Sequence, residues 1–288
     1  MSTATSFDDV SDTARWVAYY RLLESQRPDA LFVDPLASRL AGDKGREMAQ
    51  SLAKLALPWA MAVRTRVYDE LILEAIERDR ATAVVNLAAG MDARPYRLNL
   101  PSSLYWLEVD LPQLINVKAG ILDGETPVCR LERLGLDVSD RGALSALLER
   151  VTAAHCSVVV VTEGLLAYLE DDAVRGLAQE LRARSAIRSW VLEAALPEVV
   201  KRNQRAWGKR MARAGTAMKF APPEGIDYFR QFGWAVRTRR SCLLEARRLH
   251  REPPLASLLY FAKSLTARGR QWLDDVVVYG VVEPATDP

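Results

Sequence analysis

The residues with the clearest chemical potential lie in and after one loop, VVNLAAGMDARPYRL at 84–98. An apolar strand enters a turn in which Ala88 and Gly90 let the backbone approach a ligand closely. Asp110 follows about 20 residues after Gly90, the separation typical of an acid that binds ribose hydroxyls. The pattern predicts a nucleotide-cofactor loop. The same residues would also fit a strand-to-helix turn that binds no ligand, followed by an aspartate that only caps the next helix.

Two more acids follow later strands. Asp137 comes after the third strand region, where a carboxylate could accept a hydrogen bond from an adenine amino group, and Glu163 directly follows the fourth strand. Asp92 lies in the first loop itself, and its negative charge would oppose the pyrophosphate of a dinucleotide at the helix N-terminus. A zwitterionic sulfonium cofactor avoids that conflict. The acids therefore favour S-adenosylmethionine over a nicotinamide dinucleotide.

The elements that must position these residues follow from hydrophobic periodicity. Apolar residues recur at helical spacing through residues 11–79, with breaks at Asp34-Pro35 and Leu57-Pro58. Short apolar or β-branched runs then alternate with helical stretches, which predicts a parallel sheet covered on both faces. The predicted strands are residues 82–87, 104–109, 157–162, 189–192, 234–238 and 275–282.

Composition excludes several classes of protein. Of the 288 residues, 39 are Lys or Arg and 37 are Asp or Glu, a balance that does not favour a nucleic-acid surface. Three scattered cysteines and two histidines argue against a disulfide framework and a metal centre. The N-terminus lacks a signal-peptide pattern, and no apolar run approaches the roughly 20 residues that span a bilayer. We therefore expect a cytoplasmic enzyme that contains no metal.

Four fragments resemble the leucine carboxyl methyltransferase-like family of class I S-adenosylmethionine-dependent methyltransferases. They are TARWVAYYRLLESQRPDALFVDPLA, VRTRVYD, VVNLAAGMDARPYRL with LEVDLP, and TEGLLAYL. The bacterial branch of this family is associated with O-methylation in polyketide and other natural-product pathways. The resemblance implies an α/β fold with a Rossmann-like, seven-stranded, mostly parallel sheet and an antiparallel terminal hairpin. It also implies an N-terminal helical cap over residues 1–80 and a core over 81–288 with a helical lid insert near 197–232, all in one compact unit.

The resemblance also implies a set of cofactor contacts. Asp110 would hold the ribose, and Asp137 with the Val138 backbone would frame the adenine. Arg64 stands at the position of an arginine that binds the methionine carboxylate, a role that suits a guanidinium because it can form two parallel hydrogen bonds. A surface cation paired with Asp69 is the alternative for Arg64. The remaining implied contacts are Arg21, Ala88, Gly90 and Glu163.

The acceptor end of the site is less defined. Neither His155, before the fourth strand, nor His250, in a predicted loop or helix end, is placed as a general base. A carboxylate acceptor would need no base because it is already ionised, whereas a phenol would benefit from one. Tyr168 is the one candidate catalytic residue, as an acceptor-site hydroxyl, and a packing role is its alternative.

A basic insert follows the fifth predicted strand. It could form a lid over an acidic or aromatic substrate, bind an acidic carrier protein, or be a solvated cationic face. Its basic residues are Lys201, Arg202, Arg205, Lys209, Arg210, Arg213 and Lys219.

The leading prediction is an S-adenosylmethionine-dependent O-methyltransferase that acts on a small natural-product acceptor, a carboxylate or a hydroxyl. Three alternatives stay open from the sequence. They are a methyltransferase of protein C-terminal carboxyl groups, a nicotinamide-dependent oxidoreductase, and a noncatalytic methyltransferase-like binding protein. Neither a nucleic acid nor a membrane is an expected partner.

Overall fold

The computed structural model of the protein describes residues 10–51, 58–213, 217–253 and 255–285. Its helices are α1 (Val10–Ser25), α2 (Ala37–Ser51), α3 (Pro58–Asp79), α4 (Arg94–Arg97), α5 (Pro112–Ile121), α6 (Arg141–Ala154), α7 (Asp171–Arg182), α8 (Pro197–Arg213), α9 (Cys242–Arg248), α10 (Ala256–Ser264) and α11 (Ala267–Asp275). Its strands are β1 (Ala83–Leu87), β2 (Tyr105–Asp110), β3 (Arg130–Gly135), β4 (Val158–Thr162), β5 (Ile187–Ala195), β6 (Trp234–Ser241) and β7 (Val277–Pro284). Two 3₁₀ segments cover Leu166–Tyr168 and Gly225–Phe232.

The seven strands form one sheet in the order β3-β2-β1-β4-β5-β7-β6. The first five strands of this order are parallel, and β7 runs antiparallel to both β5 and β6. The central strands carry continuous apolar runs because helices cover both faces, and Val158–Val161 of β4 are fully buried. The predicted α/β fold with its antiparallel terminal hairpin is confirmed.

Two helical layers enclose the sheet. On one face, α6 and α7 pack against the strands through residues such as Leu148 and Leu181. On the other face, the apolar side of α3, with Leu71 and Ile72, packs against β4 and β5, and α9 joins it through Ala246. Helix α3 also contacts α1. It therefore links the predicted cap to the sheet, and the domain boundary at residue 80 stays a prediction.

Helices α1 and α2 pack closely against each other and over the loop that follows β1. Ala18 of α1, Leu40 of α2 and Met91 of the loop share one buried cluster. The predicted breaks in the helical region correspond to the ends of these helices, since α2 begins after Pro35 and α3 begins at Pro58. None of the helices in the described ranges is long and apolar enough to cross a membrane.

The close approach of α1 and α2 depends on a glycine, which gives a first testable prediction. A Cβ at Gly45 would lie 2.5 Å from the carbonyl oxygen of Arg15. We expect Gly45→Ala to push the two helices apart and to destabilise the protein by about 1–3 kcal/mol, as overpacking does. Urea denaturation would measure the change.

Gly120→Ala is the matched control for this substitution. Gly120 also lies in a helix, but a Cβ there would meet no atom within 4 Å. Its replacement by alanine is expected to leave stability unchanged or to raise it by up to about 1 kcal/mol. Equal effects of the two substitutions would contradict the proposed close contact.

Candidate functional site

A cavity of about 280 Å³ lies at the carboxyl ends of β1, β2 and β4, where ligands bind in open α/β sheets. Residues of helices α1 and α3 also line this cavity. Its charged lining residues are Arg21, Arg64, Asp92, Arg94, Asp110 and Glu163. The structure thus brings together charged residues from five separate segments of the chain.

The loop after β1 forms the floor of the cavity. Gly90 has φ of 51°, in the left-handed region that favours glycine. Ala88 has φ of 56°, which costs a residue with a Cβ roughly 1–2 kcal/mol. Glycine would adopt this conformation without that cost. Both residues line the cavity, and their contact with a cofactor stays a prediction.

Asp110, the last residue of β2, holds this loop in place. Its Oδ2 accepts a hydrogen bond from the backbone N–H of Gly90 at 2.7 Å, and its Oδ1 accepts one from Leu111 at 2.8 Å. Burial raises the pKa of Asp110, and the two backbone hydrogen bonds oppose that shift. Helix α5 begins after Asp110 with no side-chain cap, so the helix-cap alternative is not what the structure has. The buried carboxylate instead faces the cavity.

Asp92 is ion-paired in the structure, which its position in the sequence did not reveal. Its Oδ2 lies 3.0 Å from a guanidinium nitrogen of Arg94, and the same oxygen accepts a hydrogen bond from Asn86. Burial opposes ionisation of Asp92, but the Arg94 guanidinium and more distant cations outweigh it and lower the pKa of this carboxyl. Pairing with Arg94 therefore weakens the repulsion that Asp92 alone would exert on a pyrophosphate.

Arg94 is the centre of a buried ion-pair network that sequence reasoning missed. Its side chain is 3% exposed and contacts three carboxylates, those of Asp69, Asp92 and Glu163, at 2.7–3.0 Å. Arg97 adds a second guanidinium to Asp69. The sequence alternative that paired Asp69 with Arg64 is therefore wrong, since Asp69 binds the two arginines of α4.

Arg64 projects from α3 between two carboxylates. Its Nε lies 2.9 Å from Glu163, and one terminal nitrogen lies 3.9 Å from Glu193 of β5. Burial opposes the charged form of Arg64, but the two carboxylates outweigh it and raise the pKa of this guanidinium. Glu163 is shared with Arg94, which together with Arg64 lowers the pKa of this carboxyl against the effect of burial. The predicted site residues Arg64 and Glu163 thus lie in direct contact at the cavity wall.

Glu193 was not among the predicted site residues. It accepts a hydrogen bond from the backbone N–H of Gly164 at 2.8 Å, so it connects β5 to the loop that carries Glu163. A charged residue inside the apolar run WVLEAA is rare unless it is paired, and that signal was available in the sequence. Glu193 fixes both the loop after β4 and the guanidinium of Arg64.

The titration of Glu193 gives a second prediction. Burial raises the pKa of this carboxyl, Arg64 opposes the shift, and Glu163 adds to it. Stability from this group is therefore full below the unfolded-state pKa of about 4.3 and is lost as the pH rises through the folded-state value. Glutamine does not titrate, so we expect the stability of Glu193→Gln relative to wild type to increase between about pH 4 and pH 8.

Urea denaturation at several pH values would measure this trend. Glu149→Gln, on the exposed surface of α6, is the control and is expected to show a smaller dependence. A relative stability of Glu193→Gln that falls with rising pH would refute the assigned direction.

Arg21 and Tyr168 also line the cavity. Arg21 binds Asp34 at 2.8 Å and donates a hydrogen bond to the carbonyl oxygen of Met91, so it fastens α1 to the cofactor loop. Tyr168 lies in the 3₁₀ segment after β4 and packs against the aromatic cluster around Trp16. Burial raises the pKa of Tyr168 to about 12, with Arg64 opposing the shift and Glu193 adding to it. The ring of Tyr168 therefore packs in a hydrophobic cluster, and the same residue also lines the cavity.

Asp137 and Val138 follow β3 and are not among the described residues that line the cavity. Asp137 is exposed, and its carboxylate accepts a hydrogen bond from the backbone N–H of Ser139 at 2.8 Å. The two residues lie beyond the strand end that pairs with Asp110 of β2. Their predicted contact with adenine stays a prediction.

The two histidines lie elsewhere. His155 stacks on Tyr105 with ring centroids 4.9 Å apart, at the amino end of β4. His250 follows α9 in a turn. Neither residue is among those that line the cavity, as the sequence predicted.

The insert after β5 forms α8, and its far end contacts the cavity. Gln204 donates a hydrogen bond to the carbonyl oxygen of Met218, a cavity-lining residue, and Lys219 donates its backbone N–H to Ala167. Lys201, Arg202 and Arg205 belong to the described part of α8, and all three are exposed. The side chains of Lys209, Arg210 and Arg213 lie outside the described residues.

Comparisons with known proteins agree with this architecture. The profile of the family described as leucine carboxyl methyltransferase matches residues 14–182. A relative from Streptomyces coelicolor is 36% identical over 186 residues, which cover 60% of this chain and 65% of that protein. A relative from Mycobacterium tuberculosis is 31% identical over 255 residues, which cover 80% and 81% of the two chains. Both relatives carry the name "Putative S-adenosyl-L-methionine-dependent methyltransferase".

A solved structure has the same fold. The protein from Thermobifida fusca, described as a "putative methyltransferase", superposes with a TM-score of 0.64 over 97% of this chain and 96% of its own. The sequence identity is 13%, so this likeness concerns the fold alone.

Proposed function

We propose that this chain, which belongs to the leucine carboxyl methyltransferase family of S-adenosylmethionine-dependent methyltransferases, is an O-methyltransferase for a small natural-product acceptor. The observation that carries the proposal is a single cavity that combines the buried Asp110 carboxylate with the Arg64 guanidinium. The Asp110 carboxylate suits ribose hydroxyls, and the Arg64 guanidinium suits a carboxylate. S-adenosylmethionine, the expected cofactor, carries both a ribose and a methionine carboxylate.

The residues present fit S-adenosylmethionine. Gly90 leaves room on the loop, since a Cβ there would come within 3.3 Å of Ala14. Asp110 offers a carboxylate whose hydrogen bonds in the structure come from backbone amides, so its remaining lone pairs are available to hydroxyl donors. When bound, the cofactor supplies an electrophilic methyl group on a sulfonium. Arg64 would hold the methionine carboxylate, with Arg21 and Glu163 beside it.

The chain's own contribution to methyl transfer is positioning. A displacement at carbon requires the nucleophile, the carbon and the leaving group to be aligned, and such alignment lowers the barrier by several kcal/mol. Glu163 contacts the Arg64 guanidinium at 2.9 Å, Glu193 lies 3.9 Å from it, and Asp110 holds the loop after β1. The ion-paired groups thus reach the cavity already oriented, which limits the reorganisation that ligand binding requires.

The test is transfer from cofactor that carries a labelled methyl group to extracts of the source organism. Label in a small molecule supports the proposal. Methyl esters are base-labile and methyl ethers are base-stable, so alkaline treatment separates a carboxylate acceptor from a hydroxyl acceptor. Label on a protein C-terminus would instead support the protein carboxyl methyltransferase. Cofactor binding without any label transfer would support the noncatalytic binding protein.

A further inference from the structure

Besides the charged residues described above, the cavity is lined by apolar, aromatic and thioether side chains, namely Trp16, Val17, Met61, Leu165, Tyr168 and Met218. Met61 and Tyr168 pack against Trp16 and Tyr20 in one hydrophobic cluster. We name this set of six side chains the acceptor wall.

The side chains of the acceptor wall come from four separate segments of the chain. Trp16 on α1 meets the ring of Tyr20 edge-on, with centroids 5.4 Å apart. Tyr168 belongs to the 3₁₀ segment after β4. Met218 is fixed by Gln204 of α8, which ties the wall to the insert. A flexible thioether next to rigid aromatic rings is suited to contact with a flat apolar molecule.

Every arginine among the described residues that line the cavity is already compensated. Arg21 pairs with Asp34, and Arg64 and Arg94 share Glu163. Around Arg64, Arg94 and Arg97, three guanidinium groups face four carboxylates, those of Asp69, Asp92, Glu163 and Glu193. Asp110 adds another carboxylate, held by backbone amides. The described lining therefore offers no surplus positive charge once Arg64 binds the cofactor carboxylate.

We infer that the acceptor is an uncharged, largely apolar or aromatic alcohol or phenol, and that its body lies against the acceptor wall. This inference rests on the proposed function and narrows its substrate. An anionic acceptor would lose its hydration without meeting an uncompensated cation in the described lining, and burying an unpaired charge is costly. A neutral hydroxyl compound avoids that cost and gains from the apolar contact.

The reaction with such an acceptor balances without another reactant. The bond between the acceptor oxygen and the methyl carbon forms as the bond between carbon and sulfur breaks, and the hydroxyl proton passes to water. Tyr168 remains a neutral hydroxyl at neutral pH because burial raises its pKa to about 12. It positions the acceptor oxygen by hydrogen bonding and does not remove the proton.

The experiment compares a matched pair of probes, 2-naphthol and 2-naphthoate, on protein saturated with S-adenosylhomocysteine. The two probes share a ring system and differ in charge. Calorimetric titration at neutral pH is expected to show at least roughly tenfold tighter binding of 2-naphthol, or about 1.4 kcal/mol. Equal or tighter binding of 2-naphthoate, or no binding of 2-naphthol, would overturn the inference.

A charge variant makes the test specific to this wall. Met61→Lys places a cation on the acceptor wall and is expected to shift the preference toward 2-naphthoate by at least tenfold. Val117→Lys adds the same charge on the exposed surface of α5 and is expected to leave the preference unchanged. An equal shift in both variants, or none in Met61→Lys, would count against the wall as the acceptor subsite.

The outcome for the inference is separable from that for the proposed function. The saturation step itself measures affinity for S-adenosylhomocysteine. Loss of that binding would sink the proposed function, whereas normal binding with the wrong probe preference would sink only the inference.

Discussion

Asp110→Asn is expected to weaken binding of S-adenosylmethionine by roughly 10- to 100-fold, the value of a hydrogen bond to a charged group. The substitution removes the anionic acceptor at the end of β2. It also weakens the 2.7 Å hydrogen bond from Gly90 that shapes the loop. Both effects lower the affinity for the cofactor and do not alter the side chains of the acceptor wall. Isothermal titration with the cofactor would give the affinity directly.

Two comparison variants make this prediction decisive. Asp123→Asn changes an exposed aspartate after α5 and is expected to leave affinity unchanged. Asp137→Asn tests the adenine contact that the sequence predicts, since this carboxylate is exposed after β3. An Asp110→Asn variant that melts like wild type and binds the cofactor normally would rule out the assigned role of Asp110.

Arg94→Met is expected to destabilise the fold by about 3–5 kcal/mol, the usual cost of removing one partner from a buried ion pair. The substitution leaves Asp92 and Glu163 buried without their shared guanidinium and removes one of two arginines from Asp69. Urea denaturation would measure the difference in the free energy of unfolding.

The deficit of Arg94→Met is also expected to depend on pH. In the wild-type protein the pKa values of Asp92 and Glu163 are lowered, so their stabilisation is full above the unfolded-state pKa values of about 4 and is lost as the pH falls through the folded-state values. In the variant these carboxyls are buried without Arg94, and protonation relieves them. The variant's deficit should therefore be largest near neutral pH and shrink on acidification.

Arg175→Met is the matched control for Arg94→Met. Arg175 pairs with Asp171 at 2.8 Å, but both side chains are half exposed. Such surface pairs contribute about 0–1 kcal/mol, so this variant is expected to lie within 1 kcal/mol of wild type. Similar losses for both variants would show that the buried network contributes nothing special to stability.

The sequence predicted the elements whose signal is local. Helices α1 and α3 and strands β1, β2 and β4 follow from periodicity and from proline breaks, because burial imposes a regular apolar pattern on each of them. Strand β3 was placed only as a region, since RLERLG at the sheet edge is half-exposed and lacks an apolar run. Helices α9–α11 were not delimited, because their short apolar stripes pack against neighbours from distant segments.

The sequence by itself determined the part of the site that one strand–loop–strand unit builds. Gly90 follows β1 and Asp110 ends the neighbouring parallel strand β2, so their separation along the chain already predicted that they meet. Only the tertiary structure decided which charges compensate each other. Arg94 and Glu163 are 69 residues apart, and Arg64 reaches Glu193 from a helix on the face of the sheet.

No spacing rule covers such contacts, because they depend on the order of the strands and on the packing of α3 against them. For the same reason the sequence did not reveal the pairing of Asp92 with Arg94, and it missed Glu193. The electrostatic potential at a bound molecule depends on which charged side chains form ion pairs in the folded protein, and residue types alone do not show this.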